Sequence, residues 1–108
     1  MPAADQIAAL GDPTRRMIFD ILSNGPAAVG DIARHLPVTR PAVSQHLKVL
    51  KEVGLVQSEV RGTRHLYRID PDGLAEMRAY LDDVWRKALG NFKADAERKR
   101  ATKSRAKE

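Results

Sequence analysis

Residues 39–56 read Thr-Arg-Pro-Ala-Val-Ser-Gln-His-Leu-Lys-Val-Leu-Lys-Glu-Val-Gly-Leu-Val, a stretch with the start, the stop and the two faces of a short helix. Thr39 can cap it, because a hydroxyl there accepts from a free amide of the first turn. Pro41 follows where a missing amide proton does no harm. Gly54 is placed to end the helix as a left-handed residue. At helical spacing Val43, Leu47 and Leu50 fall within about 60° of one another and must face a core. Arg40, Pro41, Ser44, Gln45, Lys48 and Lys51 fill the opposite arc with one acidic residue, Glu52. Such an arc carries the donors and acceptors that read base edges and phosphates in a major groove. Most polar helix faces are only solvated, so the flanking sequence has to decide.

The segment just after this helix turns from helical to alternating periodicity. Residues 55–60 and 64–69 are strand-like, with Val56, Val60, Leu66 and Ile69 as apolar members. Arg61-Gly62-Thr63-Arg64 between them is a glycine-bearing hairpin signal. A two-stranded ribbon with arginines at its shoulders, behind a helix with a polar outer face, has the position of a wing.

Upstream, residues 3–10 make a helix with an apolar side through Ile7 and Leu10. Asp12-Pro13 starts a second, burying Ile18, Ile21 and Leu22 and running to about Ser23, where Asn24-Gly25-Pro26 stops it. A third covers about residues 29–36 with Ile32, Ala33 and Leu36 inward, and Leu36-Pro37-Val38 is the tight turn into the Thr39 cap. Two short helices crossing at such a turn are a helix-turn-helix. Downstream, Asp70-Pro71-Asp72 opens a long helix that passes residue 92. Leu74, Met77, Leu81, Val84, Ala88 and Phe92 recur at three-to-four spacing, and Trp85 widens the stripe. A seam of that length exceeds what one small core needs, which predicts packing on a second copy, aided by Ile7 and Leu10 of the first helix. Residues 93–108 lose large apolar side chains and are expected to begin helical and end disordered. The chain thus divides into 1–92, a DNA-binding and dimerisation domain, and 93–108, a basic tail. The fold class is mainly α with a small β-hairpin: about five helices and a two-stranded antiparallel wing.

Charge supports the same reading. The net +5 is distributed as −1 over residues 1–38, +4 over 39–68, −2 over 69–92 and +4 over 93–108. Basic charge is concentrated on the candidate reading helix, the hairpin and the tail, the footprint of a polyanion binder. The chain has no cysteine, which excludes disulfides, thiolate metal sites and a cysteine nucleophile. No apolar run approaches membrane-spanning length and the start lacks a charged-then-apolar leader, so the cytoplasm is the expected compartment.

Three stretches together resemble the ArsR/SmtB family of bacterial transcriptional regulators. They are Leu10-Gly11-Asp12-Pro13-Thr14-Arg15-Arg16, the run from Arg40 to Val56 with Ser44-Gln45-His46-Leu47-Lys48, and Arg61-Gly62-Thr63-Arg64-His65-Leu66-Tyr67-Arg68. The resemblance covers nearly everything except the tail. It implies a homodimer on a pseudo-palindromic double-stranded operator, with the first and last helices at the interface and repression until an inducer acts.

Individual roles follow from side-chain reach. Arg40 and Gln45 suit bidentate contacts to guanine and adenine, and Ser44 suits a base or a phosphate. Thr39 shares its hydroxyl with the cap, while Lys48 and Lys51 suit phosphates. His46 lies about 60° off the core face, which favours a contact within the domain over base reading. Arg61 and Arg64, with Thr63 between them, would flank a minor groove or its phosphates.

The departures from the family concern metal. Metal-sensing members carry a cysteine pair in the third helix, where this chain has Val29-Gly30-Asp31-Ile32-Ala33. Others pair Asp and His across the last helices, but this last helix has Glu76, Asp82 and Asp83 and no histidine. His35, His46 and His65 all belong to the DNA-reading half, so no metal site and no cofactor is expected. An enzyme is disfavoured by the lack of a phosphate loop or a nucleophile set. The alternative is a protein-interaction module using the basic surface and long helix without sequence preference on DNA. The effector is not legible.

Overall fold

The computed structural model describes residues 2–107, with side chains described through residue 100. The elements run α1 (Ala3–Ala9), α2 (Pro13–Leu22), β1 (Ala27–Ala28), α3 (Val29–Ala33), α4 (Arg40–Glu52), β2 (Val56–Arg61), β3 (Arg64–Ile69) and α5 (Pro71–Lys107). They divide into two compact units, Met1–Met77 and Arg78–Glu108.

The first unit is a winged helix-turn-helix. Its core consists of Ile18 and Leu22 from α2, Ile32 from α3, Val43, Leu47 and Leu50 from α4, and Leu55 and Val56 at the entry to β2. All three expected core positions of α4 are fully buried. Both ends of that helix are chemically closed. The Thr39 hydroxyl accepts from the Ala42 amide at 3.3 Å. At the other end Gly54 adopts φ +79°, its amide donates to the Lys51 carbonyl (3.1 Å), and the Leu55 amide donates to the Leu50 carbonyl (3.0 Å). This pair of bonds is a Schellman closure. Leu50 and Leu55, the two residues it brings together, are both in the core.

Three differences from the sequence reading have local causes. The sheet has three strands in the order β1-β3-β2, not two: Ala27 and Ala28 pair antiparallel with Tyr67 and Leu66. Two alanines have no side-chain alternation to announce a strand, and the pairing is made by backbone alone. The third helix ends at Ala33, about a turn early, because His35 and Leu36 donate to Ile32 and Ala33 in tight i→i+3 bonds. Val60, an expected apolar strand member, is 72% exposed, since the ribbon extends beyond the core before it turns. The two-residue loop is Gly62-Thr63, with Gly62 alone at positive φ (+62°), as a type II′ hairpin requires.

Helix α1 buries a polar residue that its apolar pattern does not announce. Gln6 and Ala9 are buried, while Ile7 is 37% exposed and Leu10 packs against the core from its edge. The Gln6 amide, fully buried, has no hydrogen-bond partner among the described residues.

Helix α5 starts at Pro71 under an Asp70 cap, whose carboxylate accepts from the Asp72 and Gly73 amides at 3.0 and 3.4 Å. It continues to Lys107. Residues 93–107 contain no glycine or proline and are rich in Ala, Lys and Arg, all good helix formers. Asp83 and Lys87 pair at 2.9 Å one turn apart on the same helix. Among the described residues no helix is long and apolar enough to cross a membrane.

Candidate nucleic-acid interface

The outer face of α4 presents Arg40, Pro41, Ser44, Gln45, Lys48 and Lys51, all exposed. Ser44, Gln45 and Lys48 have no hydrogen-bond or ion partner among the described residues. Their donors and acceptors are therefore available to a ligand without breaking any internal bond. Lys51 is not equally free, because its ammonium donates to the Ser58 hydroxyl on β2 at 2.8 Å. Arg40 lies back over α3: a Cβ on Gly30 would stand 2.5 Å from its Nη2. Glycine at position 30 gives that guanidinium its resting place, and the flexible side chain can swing outward from it. Thr39 is exposed but its hydroxyl is committed to the cap.

His46 is half-buried and turned into the domain, toward the start of α2. Its Nδ1 lies 3.5 Å from Arg15 Nη1 and 4.0 Å from Asp12 Oδ2. Since a guanidinium can only donate, the Arg15 contact requires Nδ1 as acceptor and the proton on Nε2. Arg15 Nε in turn donates to the Ala9 carbonyl at 2.7 Å, fastening the end of α1. Asp12 caps α2 by accepting from the Arg15 amide at 2.9 Å. That bond, helped by the Arg15 charge and the Thr14 amide, outweighs the opposing desolvation and holds the Asp12 carboxyl below its ordinary pKa. A lowered carboxylate pKa stabilises the fold above the ordinary value, and the contribution disappears as pH falls through the lowered one. The Asp12-Pro13-Thr14-Arg15 stretch therefore has a physical role: it joins α1, α2 and the reading helix.

The wing arginines are exposed but held by carboxylates. Arg61 meets Glu59 at 3.2 Å on its own strand, and Arg64 meets Asp31 of α3 at 3.1 Å. Asp31 also pairs with Arg34. Exposed pairs of this kind are weak and exchange readily for another anion. The Arg64–Asp31 contact ties the wing to the first helix of the helix-turn-helix, which sequence spacing alone gave no sign of. Thr63 stands exposed at the loop. His35 donates from Nδ1 to the Asp31 carbonyl at 2.8 Å, since a carbonyl can only accept. Among the described residues no group of three or more His, Cys, Asp or Glu side chains is arranged to hold a metal ion.

In the second unit α5 exposes Leu81, Val84, Trp85, Ala88 and Phe92, with Trp85 at 68% and Phe92 at 70%. Leu89, which the sequence reading left out, is exposed beside them. In the first unit Leu74 is exposed, while Met77 packs partly against the core of its own unit.

A capped reading helix whose exposed polar face leaves Ser44, Gln45 and Lys48 unpartnered among the described residues, beside a basic hairpin, defines a winged helix-turn-helix regulator. Residues 12–58 match the bacterial regulatory protein, arsR family. The chain is 56% identical over 84 residues to the HTH-type transcriptional regulator Rv2034 of Mycobacterium tuberculosis, covering 78% of each chain. It is 37% identical to the transcriptional repressor SdpR of Bacillus subtilis over 57% of this chain and 69% of that one. Among solved structures, it is similar to the homodimeric winged helix-turn-helix DNA-binding domain Mb0332 of Mycobacterium bovis, described as a possible ArsR-family regulator. That likeness has a TM-score of 0.63 and 34% identity over 80% of each chain. The protein belongs to the ArsR family of transcriptional regulators. That family is one of regulators and not of enzymes.

Proposed function

We propose that this chain is a homodimeric, sequence-specific DNA-binding repressor that acts on a pseudo-palindromic operator in the bacterial cytoplasm. The observation that carries the reading is the outer face of α4, where Ser44, Gln45 and Lys48 are exposed and unpartnered on a helix closed at both ends. Such a helix enters a major groove without first losing structure, and these three side chains meet it without breaking an internal bond. Arg40 and Gln45 read bases, Ser44 reads a base or phosphate, and Lys48 and Lys51 hold phosphates, Lys51 after releasing Ser58. Thr39 and Pro41 set the helix start against the backbone. His46 acts by orienting the helix through Arg15 and Asp12 and not by touching bases. Arg61, Thr63 and Arg64 exchange Glu59 and Asp31 for phosphates or a minor groove.

Residues 1–92 form the DNA-binding and dimerising part. The exposed stripe through Leu81, Val84, Trp85, Ala88 and Phe92, with Leu74, supports a dimer, as the homodimeric Mb0332 domain does for its own chain. Ile7, Leu10 and Met77 join that interface with the surface their own core leaves open. Repression is supported by the likeness to SdpR, a named repressor, and includes autoregulation of the chain's own promoter. Release is independent of thiolate metal sensing, because the chain has no cysteine.

The test is a set of single substitutions measured on operator and mixed-sequence duplexes. Arg40→Ala and Gln45→Ala should each cost about 1–3 kcal/mol at the operator and relax sequence preference. Lys48→Ala should weaken all sequences alike and make the log-affinity against log-salt slope shallower by about one per site. Equal losses on both duplexes for Arg40 and Gln45 would remove them from the base-reading role.

A further inference from the structure

We propose that the C-terminal part of α5, residues 93–107, is a second and sequence-independent surface for duplex DNA. The inference rests on the DNA-binding reading above and adds a site that the family match over residues 12–58 does not include. The segment continues α5 without a break to Lys107. At helical spacing Lys93, Lys99, Arg100, Lys103 and Lys107 fall within one arc of about 120°, and Asp95 and Glu97 fall outside it. Lys93, Lys99 and Arg100 are exposed and make no ion pair among the described residues. Arg98 pairs with Asp95 outside that arc. An ordinary solvated helix intersperses both signs around its surface; here the sequence spacing assigns five basic positions to one arc with no acidic position among them.

The rest of the segment decides which polyanion fits. Its only apolar residues before Glu108 are Ala94, Ala96, Ala101 and Ala106, so it has no large side chains to enter a lipid interface. It has no aromatic residue on which unpaired bases could stack. What remains is a basic arc, mostly lysine, suited to phosphates and carrying no base-reading geometry. Duplex DNA supplies that ligand, and the reading helix brings it to the same protein. The extension raises affinity for all DNA and leaves the sequence preference to α4.

The experiment uses the full chain with Lys93→Gln, Lys99→Gln, Arg100→Gln, Lys103→Gln and Lys107→Gln together. Glutamine keeps helix propensity close to that of lysine and arginine, which circular dichroism verifies. Anisotropy titrations on a mixed-sequence duplex of about 40 base pairs, from about 50 to about 200 mM salt, compare it with the unaltered chain and with Arg40→Ala. The five-glutamine chain is expected to bind at least about tenfold more weakly at low salt, with a slope shallower by about two to four per chain. The ratio of operator to mixed-sequence affinity should stay unchanged. Equal slopes and affinities for the altered and unaltered chains would overturn the proposal. So would displacement of the duplex by polyglutamate as effective, charge for charge, as by unlabelled duplex, which would mark an acidic-protein surface. If the unaltered chain binds no duplex at all, the DNA reading falls with it. If Arg40→Ala loses operator preference while the five-glutamine chain behaves as the unaltered one, only the tail assignment falls.

Discussion

Gly73→Ala is expected to destabilise the first unit by about 3 kcal/mol or more, well beyond the usual cost of one added methyl. A Cβ at Gly73 would stand 1.7 Å from the Gly54 carbonyl oxygen and 2.7 Å from its carbon. Both colliding atoms are backbone, so no side-chain rotation relieves them. The backbone cannot simply recede either. Gly54 is held at positive φ by the Schellman closure of α4, and the Asp70 amide donates to the Leu55 carbonyl at 2.9 Å just before α5 begins. The added carbon would also stand 3.5 Å from the buried Gln6 Nε2. Gly90→Ala is the matched control, because a Cβ there meets nothing within 4 Å. It should leave the fold intact and favour the helix by about 0.5–1 kcal/mol. Urea unfolding of the two variants measures the contrast. Equal midpoints would show that α5 does not dock on the α4–β2 turn through this glycine.

Leu81→Glu is expected to convert a dimer into monomers. Leu81 is 51% exposed on the stripe that continues through Val84, Trp85, Ala88 and Phe92. A carboxylate placed between two such stripes would lose its hydration without gaining a partner. Because association and folding are linked in a dimer of this size, the melting temperature of the unaltered chain should rise with protein concentration, and that of the variant should not. Native mass spectrometry gives the stoichiometry directly. A variant that keeps the mass of two chains and the melting of the parent would show that the stripe is not the interface.

The parts of this molecule legible in the sequence are those whose side chains carry the pattern. Val43, Leu47 and Leu50 marked the inner face of α4, Thr39 and Gly54 marked its ends, and Gly62 marked the hairpin. Strand β1 was not legible, since two consecutive alanines show no alternation and their part in the sheet is backbone pairing. The inner face of α1 was not legible, because Gln6, the residue the neighbours enclose, is polar. Val60 followed strand alternation but lies beyond the reach of the core. The polar face of α4 was legible as a row, but its partners were not. That Lys51 meets Ser58, that Arg40 rests over Gly30 and that His46 meets Arg15 depend on tertiary proximity between separate elements. The Arg64–Asp31 tie across 33 residues of sequence is of the same kind. A signal for the Asp12–Arg15–His46 cluster did exist, in the acidic cap and its neighbouring arginine, but only the fold brings the histidine to them.

The most direct test of the central claim is selection of bound duplexes from a random-sequence library by the full chain, in parallel with Gln45→Ala. A dimer that presents two α4 helices should enrich an inverted repeat whose half-sites lie about one helical turn, roughly 10–10.5 base pairs, apart or at a multiple of that. The Gln45→Ala chain should enrich a motif degenerate at one position of each half-site. Recovery of sequences with no shared motif, at an affinity set by salt alone, would contradict the account.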